Sequence, residues 1–204
     1  VFEQAGQAIQ GTATWVFAVK PQDMRPVCES LADAARAARP LAISIAAGIT
    51  ATQLDKWLGG GCRVIRTMPN TPALLGAGIT GLYAAGTIHA DERALAESLL
   101  AAAGKTVWVA DEAQMDAVTA LSGSGPAYLF LLAEAMTNAG IREGLPANDA
   151  YTLALQTLLG AARMLTESGV EAAELRRRVT SPNGTTQAAI EAFEAGGFRE
   201  LVNV

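Results

Sequence analysis

Thr14-Trp-Val-Phe-Ala-Val-Lys20-Pro21 is an unbroken apolar run closed by a lysine and a proline. A strand with one wet face alternates apolar and polar residues, whereas a strand covered on both faces stays apolar throughout. The run therefore predicts a buried strand of a parallel sheet, with Pro21 stopping it. Neighbouring stretches repeat the arrangement. Gln22–Ala38 carries Val27, Leu31, Ala34 and Ala35 on a helical period, and Leu41-Ala-Ile-Ser-Ile-Ala46 is a second apolar run. Thr50–Leu58 is a short helix capped by Thr50, and Gly59-Gly60-Gly61 turns the chain into a third strand, Arg63–Met68. Gly78–Ala84 and Lys105–Val109 add two strands, separated by a helix from Asp91 to Ala103. Strands alternating with helices predict an α/β layer built on a mainly parallel sheet.

Beyond Asp111 the pattern becomes helical only. Glu112–Leu121 reads as a helix, Ser122-Gly-Ser-Gly125 as a break, and Pro126 sits at the first turn of a helix running to Ile141. Pro146 opens a long helix to Ser168, with Leu153, Leu158, Ala161, Ala162 and Leu165 on helical spacing. Helices 126–141 and 146–168 are too apolar for a solvated surface, which predicts burial against a second copy of the chain. Two more helices flank a loop, and Phe198–Val204 begins another. The expected fold class is α/β followed by all-α, with domains at 1–110 and 111–204.

Composition excludes several functions. The chain has 204 residues, half of them apolar, and a net charge of −5. The densest basic run is Arg176-Arg177-Arg178, a solvated face at a helix end, so nucleic acid is not an expected partner. No apolar run approaches the roughly 18 residues of a membrane span. Cys28 and Cys62 lack metal or redox spacing and read as reduced thiols of a cytoplasmic protein. His89, the single histidine, lies just before a helix and reads as an exposed loop residue. No Ser/His/Asp or Cys/His constellation is then available, and no metal site is expected.

Ligands of open α/β sheets bind outside the carboxyl ends of the strands. Three successive strand ends here are rich in small or turn residues: Ala18-Val19-Lys20-Pro21, Ala46-Ala47-Gly48 and Met68-Pro69-Asn70-Thr71-Pro72. Small side chains admit a flat cofactor, and Lys20 suits a ribose hydroxyl or a phosphate. The G-x-G-x-x-G fingerprint is absent, because Gly59-Gly60-Gly61 precedes a strand instead of following one. A second candidate is Val179-Thr-Ser-Pro-Asn-Gly-Thr-Thr-Gln187, a turn that opens a helix. The first amides of a helix lack intrahelical partners and carry the positive end of its dipole. With Ser181, Thr185 and Thr186 alongside, the stretch suits a carboxylate; the plainer reading is a turn with a threonine cap. Glu112 is a carboxylate near the domain junction that could act, and a first-turn acid is its plainer reading. A site so poor in bases fits chemistry in which a cofactor supplies the reactive atom, such as hydride transfer.

The chain resembles the pyrroline-5-carboxylate reductase family. The likeness is carried by Ala18-Val-Lys-Pro-Gln22, Ala46-Ala-Gly-Ile49, Arg66-Thr-Met-Pro-Asn-Thr-Pro72, Asp116-Ala-Val-Thr-Ala-Leu-Ser-Gly-Ser-Gly-Pro-Ala-Tyr128, Gln156–Ala162 and Val179–Thr186. These segments occur in family order over nearly the whole chain. The resemblance implies a Rossmann domain, here partial and lacking its first βα unit, followed by a helical dimerisation domain. It implies reduction of 1-pyrroline-5-carboxylate to L-proline by NADPH or NADH, in a homodimer or larger homo-oligomer. It implies a cofactor lined by Ala18, Val19, Lys20, Pro21, Ala46 and Ala47, with Asn70 and the Ser122–Gly125 turn near the nicotinamide. It implies a substrate held by Glu112, Ser181, Gly184, Thr185 and Thr186, with Thr186 acting at the ring nitrogen.

Family members usually carry glycine where Asn183 stands, and the missing glycine fingerprint and the helix begun at Phe198 lead to the expectation of a chain shortened at both ends. Weak or absent cofactor binding by the chain follows as an expectation. Rival readings are another imine reductase, a β-hydroxyacid reductase, against which the lack of lysine between Pro126 and Ala139 counts, and a non-catalytic dimer-forming fragment.

Overall fold

A computed structural model of the chain describes every residue except Thr87 and Val204. It divides into two compact units, Val1–Phe130 and Leu131–Val204, each described by itself.

The first unit begins with α1 (Ala5–Ala8) and β1 (Thr14–Phe17), then α2 (Pro21–Ser30), α3 (Ala32–Ala38), β2 (Leu41–Ser44), α4 (Ala51–Trp57) and β3 (Arg63–Met68). A 3-10 turn (Thr71–Leu75) leads to β4 (Gly78–Ala84), α5 (Ala90–Ala101), β5 (Gly104–Trp108), α6 (Gln114–Val118) and a π-helical turn (Thr119–Gly123). The strands lie in the order β1-β2-β3-β4-β5. All neighbours are parallel except β3 and β4, which are antiparallel. The exception follows from chain length. A parallel return needs a crossover of a dozen or more residues, and only a 3-10 turn separates these two strands.

Both faces of the sheet are covered at β2 and β3, whereas β1, expected to be covered on both faces, keeps one face open because it is an edge strand: Val16 is 55% exposed. Trp15, Phe17, Ala42 and Val64 pack with Met24, Cys28, Leu54 and Leu58 on one face. Leu41, Ile43, Ile65 and Leu82 pack with Ala96 on the other. Successive residues of β2 and β3 alternate between the two clusters, the two-residue period of a strand. Burying a side chain such as Ile65 contributes about 1.5–3 kcal/mol.

Several boundaries differ from expectation. β1 ends at Phe17 and β2 at Ser44, so Ala18–Lys20 and Ala46 are already loop. The single helix expected over 22–38 is two, because the Leu31 amide closes onto Cys28 three residues back. The cap of α5 is His89, whose amide donates to Glu92, and the histidine is exposed as expected. The break expected at Ser122–Gly125 is the π-helical turn, and α7 (Gly125–Arg142) follows almost at once. The first compact unit runs past residue 110 to Phe130 because α6 lies against β4, where a Cβ on Gly81 would come within 2.5 Å of Val118 Cγ1.

The second unit is helical throughout its described residues: the rest of α7, α8 (Ala147–Glu167), α9 (Ala172–Arg178), α10 (Thr185–Ala195) and α11 (Phe198–Val202). Of the expected helix 198–204, Val204 lies outside the described residues. α7 and α8 meet closely at Gly140, where an added Cβ would lie 3.3 Å from Ala150 Cβ. α7 buries no side chain and α8 only Ala150 and Ala154. Leu159, Met164 and Leu165 of α8 are each more than half exposed. The arginine triplet at the end of α9 is solvated as expected, with Arg177 and Arg178 both paired to Glu174. No helix among the described residues is long and apolar enough to cross a membrane.

Candidate functional site

β1, β2 and β3 are parallel neighbours, and Phe17, Ser44 and Arg66 sit abreast across them. Their three following segments therefore leave the sheet at one edge. This brings together Ala18, Val19, Lys20, Pro21, Ala46, Ala47 and Asn70. Lys20 caps α2 through its backbone and Pro21 is the first helical residue, where its missing amide costs nothing. Ala18 and Lys20 are exposed, Ala47 is half-buried and Ala46 buried. The β2 end is fixed locally: the Ala46 amide donates to Ser44 Oγ at 3.2 Å, and Thr67 Oγ1 donates to the Ser44 carbonyl at 3.0 Å.

Glu112 is tied to the same edge. Its Oε1 accepts from the Ala51 amide at 2.7 Å and from Arg66 Nη1 at 2.8 Å. Ala51 is the first residue of α4, so the carboxylate sits where the helix dipole favours negative charge. Arg66 was not foreseen from sequence. The signal was there: an arginine inside the apolar run Val64-Ile65-Arg66 demands a buried partner. Its side chain is 7% exposed, and its Nε has no hydrogen-bond partner among the described residues.

Asn70 makes two long-range bonds. Its Oδ1 accepts from the Ile79 amide at 3.0 Å, and its Nδ2 donates to the Ser122 carbonyl at 3.2 Å. A hollow of about 420 Å³ opens beside it, lined by Asn70, Pro72, Ser122, Gly125, Pro126 and Tyr128 among others.

In the second unit the predicted turn forms. Asn183 has φ 60°, the left-handed conformation that asparagine tolerates best among larger residues. Its amide donates to Gln187 Oε1 at 2.8 Å, and the Gly184 amide donates to the Ser181 carbonyl at 3.1 Å. The cap of α10 is Gly184 and not a threonine, and no side chain bonds the start of the helix. A Cβ at Gly184 would stand 3.1 Å from the Ser181 carbonyl, tighter than most side chains allow. Among the described residues, the amides of Thr185, Thr186 and Gln187 and the hydroxyls of Ser181, Thr185 and Thr186 make no hydrogen bond within the protein. Ser181 and Thr185 are exposed and Thr186 half-buried.

Among the described residues no group of three potential metal ligands gathers. Burial, and after it the nearby Cys62 and Glu29, pushes the Cys28 thiol up to about 11, and burial raises Cys62 as well, which disfavours the thiolate of each.

Residues 112–204 match the family described as pyrroline-5-carboxylate reductase dimerisation. A pyrroline-5-carboxylate reductase of Pseudomonas aeruginosa is 54% identical over 202 residues, which cover 99% of this chain and 74% of that protein. The chain belongs to the pyrroline-5-carboxylate reductase family. A second family member, from Haemophilus influenzae, is 45% identical, the match covering 97% of this chain and 72% of that protein. Among solved structures, the pyrroline-5-carboxylate reductase of Coxiella burnetii superposes with a TM-score of 0.92 at 44% identity, covering 98% of this chain and 74% of that one. The Plasmodium falciparum enzyme, whose structure has NADP bound, gives 0.89 at 27% identity over 98% and 76%. The parallel sheet followed by helices is thus the Rossmann and dimerisation pairing of the pyrroline-5-carboxylate reductases, as the sequence resemblance implied. Membership in that family also sets aside the imine-reductase and β-hydroxyacid rivals.

Proposed function

We propose that the chain reduces 1-pyrroline-5-carboxylate to L-proline, a step of proline biosynthesis, with NADPH as donor and NADH as the donor to compare. The observation that carries the reading is the start of α10, where three unpaired amides and three unpaired hydroxyls surround a glycine cap. A carboxylate there gains about 0.3–1 kcal/mol from the helix end when exposed and about 2 when partly buried. Ser181, Gly184 and Thr185 hold that carboxylate. Thr186 is assigned to the ring nitrogen: its Oγ1 accepts from the N–H of the protonated imine. Bound nicotinamide supplies the hydride, which goes to the imine carbon. The C=N π pair becomes the nitrogen lone pair of the amine, and the Thr186 hydroxyl donates to it while relaying a proton from water. An imine protonated in advance needs no strong acid, which agrees with a chain whose one histidine caps α5. Glu112 offers a further substrate contact through Oε2, since Oε1 is spent on Ala51 and Arg66.

The cofactor is assigned to the carboxyl edge of β1–β3, lined by Ala18, Val19, Lys20, Pro21, Ala46 and Ala47, with Asn70 beside the nicotinamide. The fit rests on small side chains at adjacent strand ends, which leave room for a flat ring, and on the cationic Lys20 for a phosphate or ribose. The functional boundary is kept at 110/111, supported by the dimerisation match from residue 112. The exposed apolar faces of α7 and α8 are assigned to a second copy, giving a homodimer or larger homo-oligomer. Two free thiols support a reducing, cytoplasmic location.

Adding L-proline to the ¹⁵N-labelled chain should shift the amide signals of residues 184–187. Thr186→Ala, assayed at millimolar NADPH, should lower kcat about a hundredfold while the NADPH KM stays within about twofold. Unchanged turnover, or shifts confined to other segments, overturns the assignment.

A further inference from the structure

We infer that Asn70 is a positioning residue, whose carboxamide pins the π-helical turn Thr119–Gly123 to the sheet and thereby shapes the hollow at the carboxyl edge. The functional half of this rests on the reductase reading above; the structural half does not.

A π-helical turn is an uncommon conformation, frequently found at functional sites. Here the Ser124 amide bonds the Thr119 carbonyl five residues back, at 2.8 Å. Widening the helix leaves carbonyls that need donors from elsewhere. Two are supplied by side chains: Tyr128 Oη donates to the Ala120 carbonyl at 3.1 Å, and Asn70 Nδ2 donates to that of Ser122 at 3.2 Å. Only Asn70 reaches in from the sheet. Its Oδ1 is fixed in turn by the Ile79 amide at the start of β4. One carboxamide thus joins the end of β3, the start of β4 and the wide turn.

Two glycines let the turn sit this close. A Cβ on Gly123 would lie 2.5 Å from Met68 Cε, and one on Gly81 2.5 Å from Val118 Cγ1. Packing therefore presses the turn onto β3 and β4, while Asn70 sets its azimuth. Asn70, Ser122, Gly125 and Pro126 line one hollow, so a rotation of the turn changes the cavity directly. The second N–H of the carboxamide has no partner among the described residues, which makes direct ligand contact the competing role.

Asn70→Asp in the full chain separates the two. It keeps the acceptor for Ile79 and replaces the donor by an oxygen facing the Ser122 carbonyl. Hydrogen exchange at the Ser124 amide should quicken roughly tenfold, kcat should fall about tenfold or more, and the NADPH KM should stay within about twofold. Acidification that protonates the new carboxyl restores a donor and should narrow the gap to wild type, a pH response the wild type lacks. Asn70→Ala removes both bonds and should exceed Asn70→Asp in exchange; if it does not fold, the isosteric variant carries the test. An NADPH KM raised tenfold with Ser124 exchange unchanged makes Asn70 a direct contact and overturns the inference, as does no change in either. If the wild type does not reduce the imine, the reductase reading fails, and the exchange measurement alone decides the clamp.

Discussion

Glu112→Ala removes the single carboxylate on which Arg66 depends. The guanidinium lies on a strand in the middle of the sheet, 7% exposed, and its Nη1 to Glu112 Oε1 contact of 2.8 Å is its one ion pair among the described residues. Breaking a buried pair from one side costs about 3–5 kcal/mol, because the remaining charge stays desolvated. Glu112 itself is 26% exposed, so water entering the vacated space recovers part of that. The Ala51 amide also loses its acceptor at the start of α4. These effects overlap and do not add, which leaves about 2–3 kcal/mol for the substitution. With a urea slope of about 3 kcal/mol/M for a chain of this size, the midpoint should fall by about 0.7–1 M. Tryptophan fluorescence reads the transition, since Trp15 is buried in the core and Trp57 and Trp108 pack against it. Protomer concentration is held constant so that association does not shift the midpoint. Arg66→Met added to Glu112→Ala should return at least half of the loss, because no buried charge is then stranded. A midpoint change under about 0.2 M for Glu112→Ala, or a double variant as unstable as the single one, refutes the reasoning: the pair would then be solvated and Glu112 free for another task.

Gly81→Val should cost at least about 1–3 kcal/mol by overpacking, since even a Cβ at that position lies 2.5 Å from Val118 Cγ1; equal thermal stability would show that α6 moves away freely. Cys28 titrates at about 11 in the fold against an ordinary 9.0. A raised folded value means that its contribution is intact below pH 9 and is lost as pH rises from 9 to 11. The alkaline fall in stability over that window should be shallower in Cys28→Ala, and an identical profile would rule the thiol out as its source. NADPH should bind the chain weakly, with a Kd above roughly 100 µM, because no glycine fingerprint offers amides to the pyrophosphate. Isothermal titration giving submicromolar binding would contradict that.

Much of this protein was legible in local patterns. The continuous apolar run Leu41–Ala46 specifies a strand covered on both faces, as β2 is; the run Thr14–Val19 specifies a strand but not its cover, since Val16 on the edge strand is 55% exposed. Asn183 specifies a left-handed turn into a helix because few other non-glycine residues tolerate that backbone, and Gly184 leaves room beside the Ser181 carbonyl. Those properties belong to a few consecutive residues, so the amino-acid order alone determined the α/β layer, the helical second half and the loop at 181–186. The side-chain ties were decided only by tertiary structure. Arg66 and Glu112 are 46 residues apart, and Asn70 and Ser122 are 52 apart. Which groups face each other across such distances depends on strand register, and a slip of one residue turns every side chain of a strand to the opposite face. The order of residues reveals that Arg66 needs a partner; only the packed sheet selects Glu112.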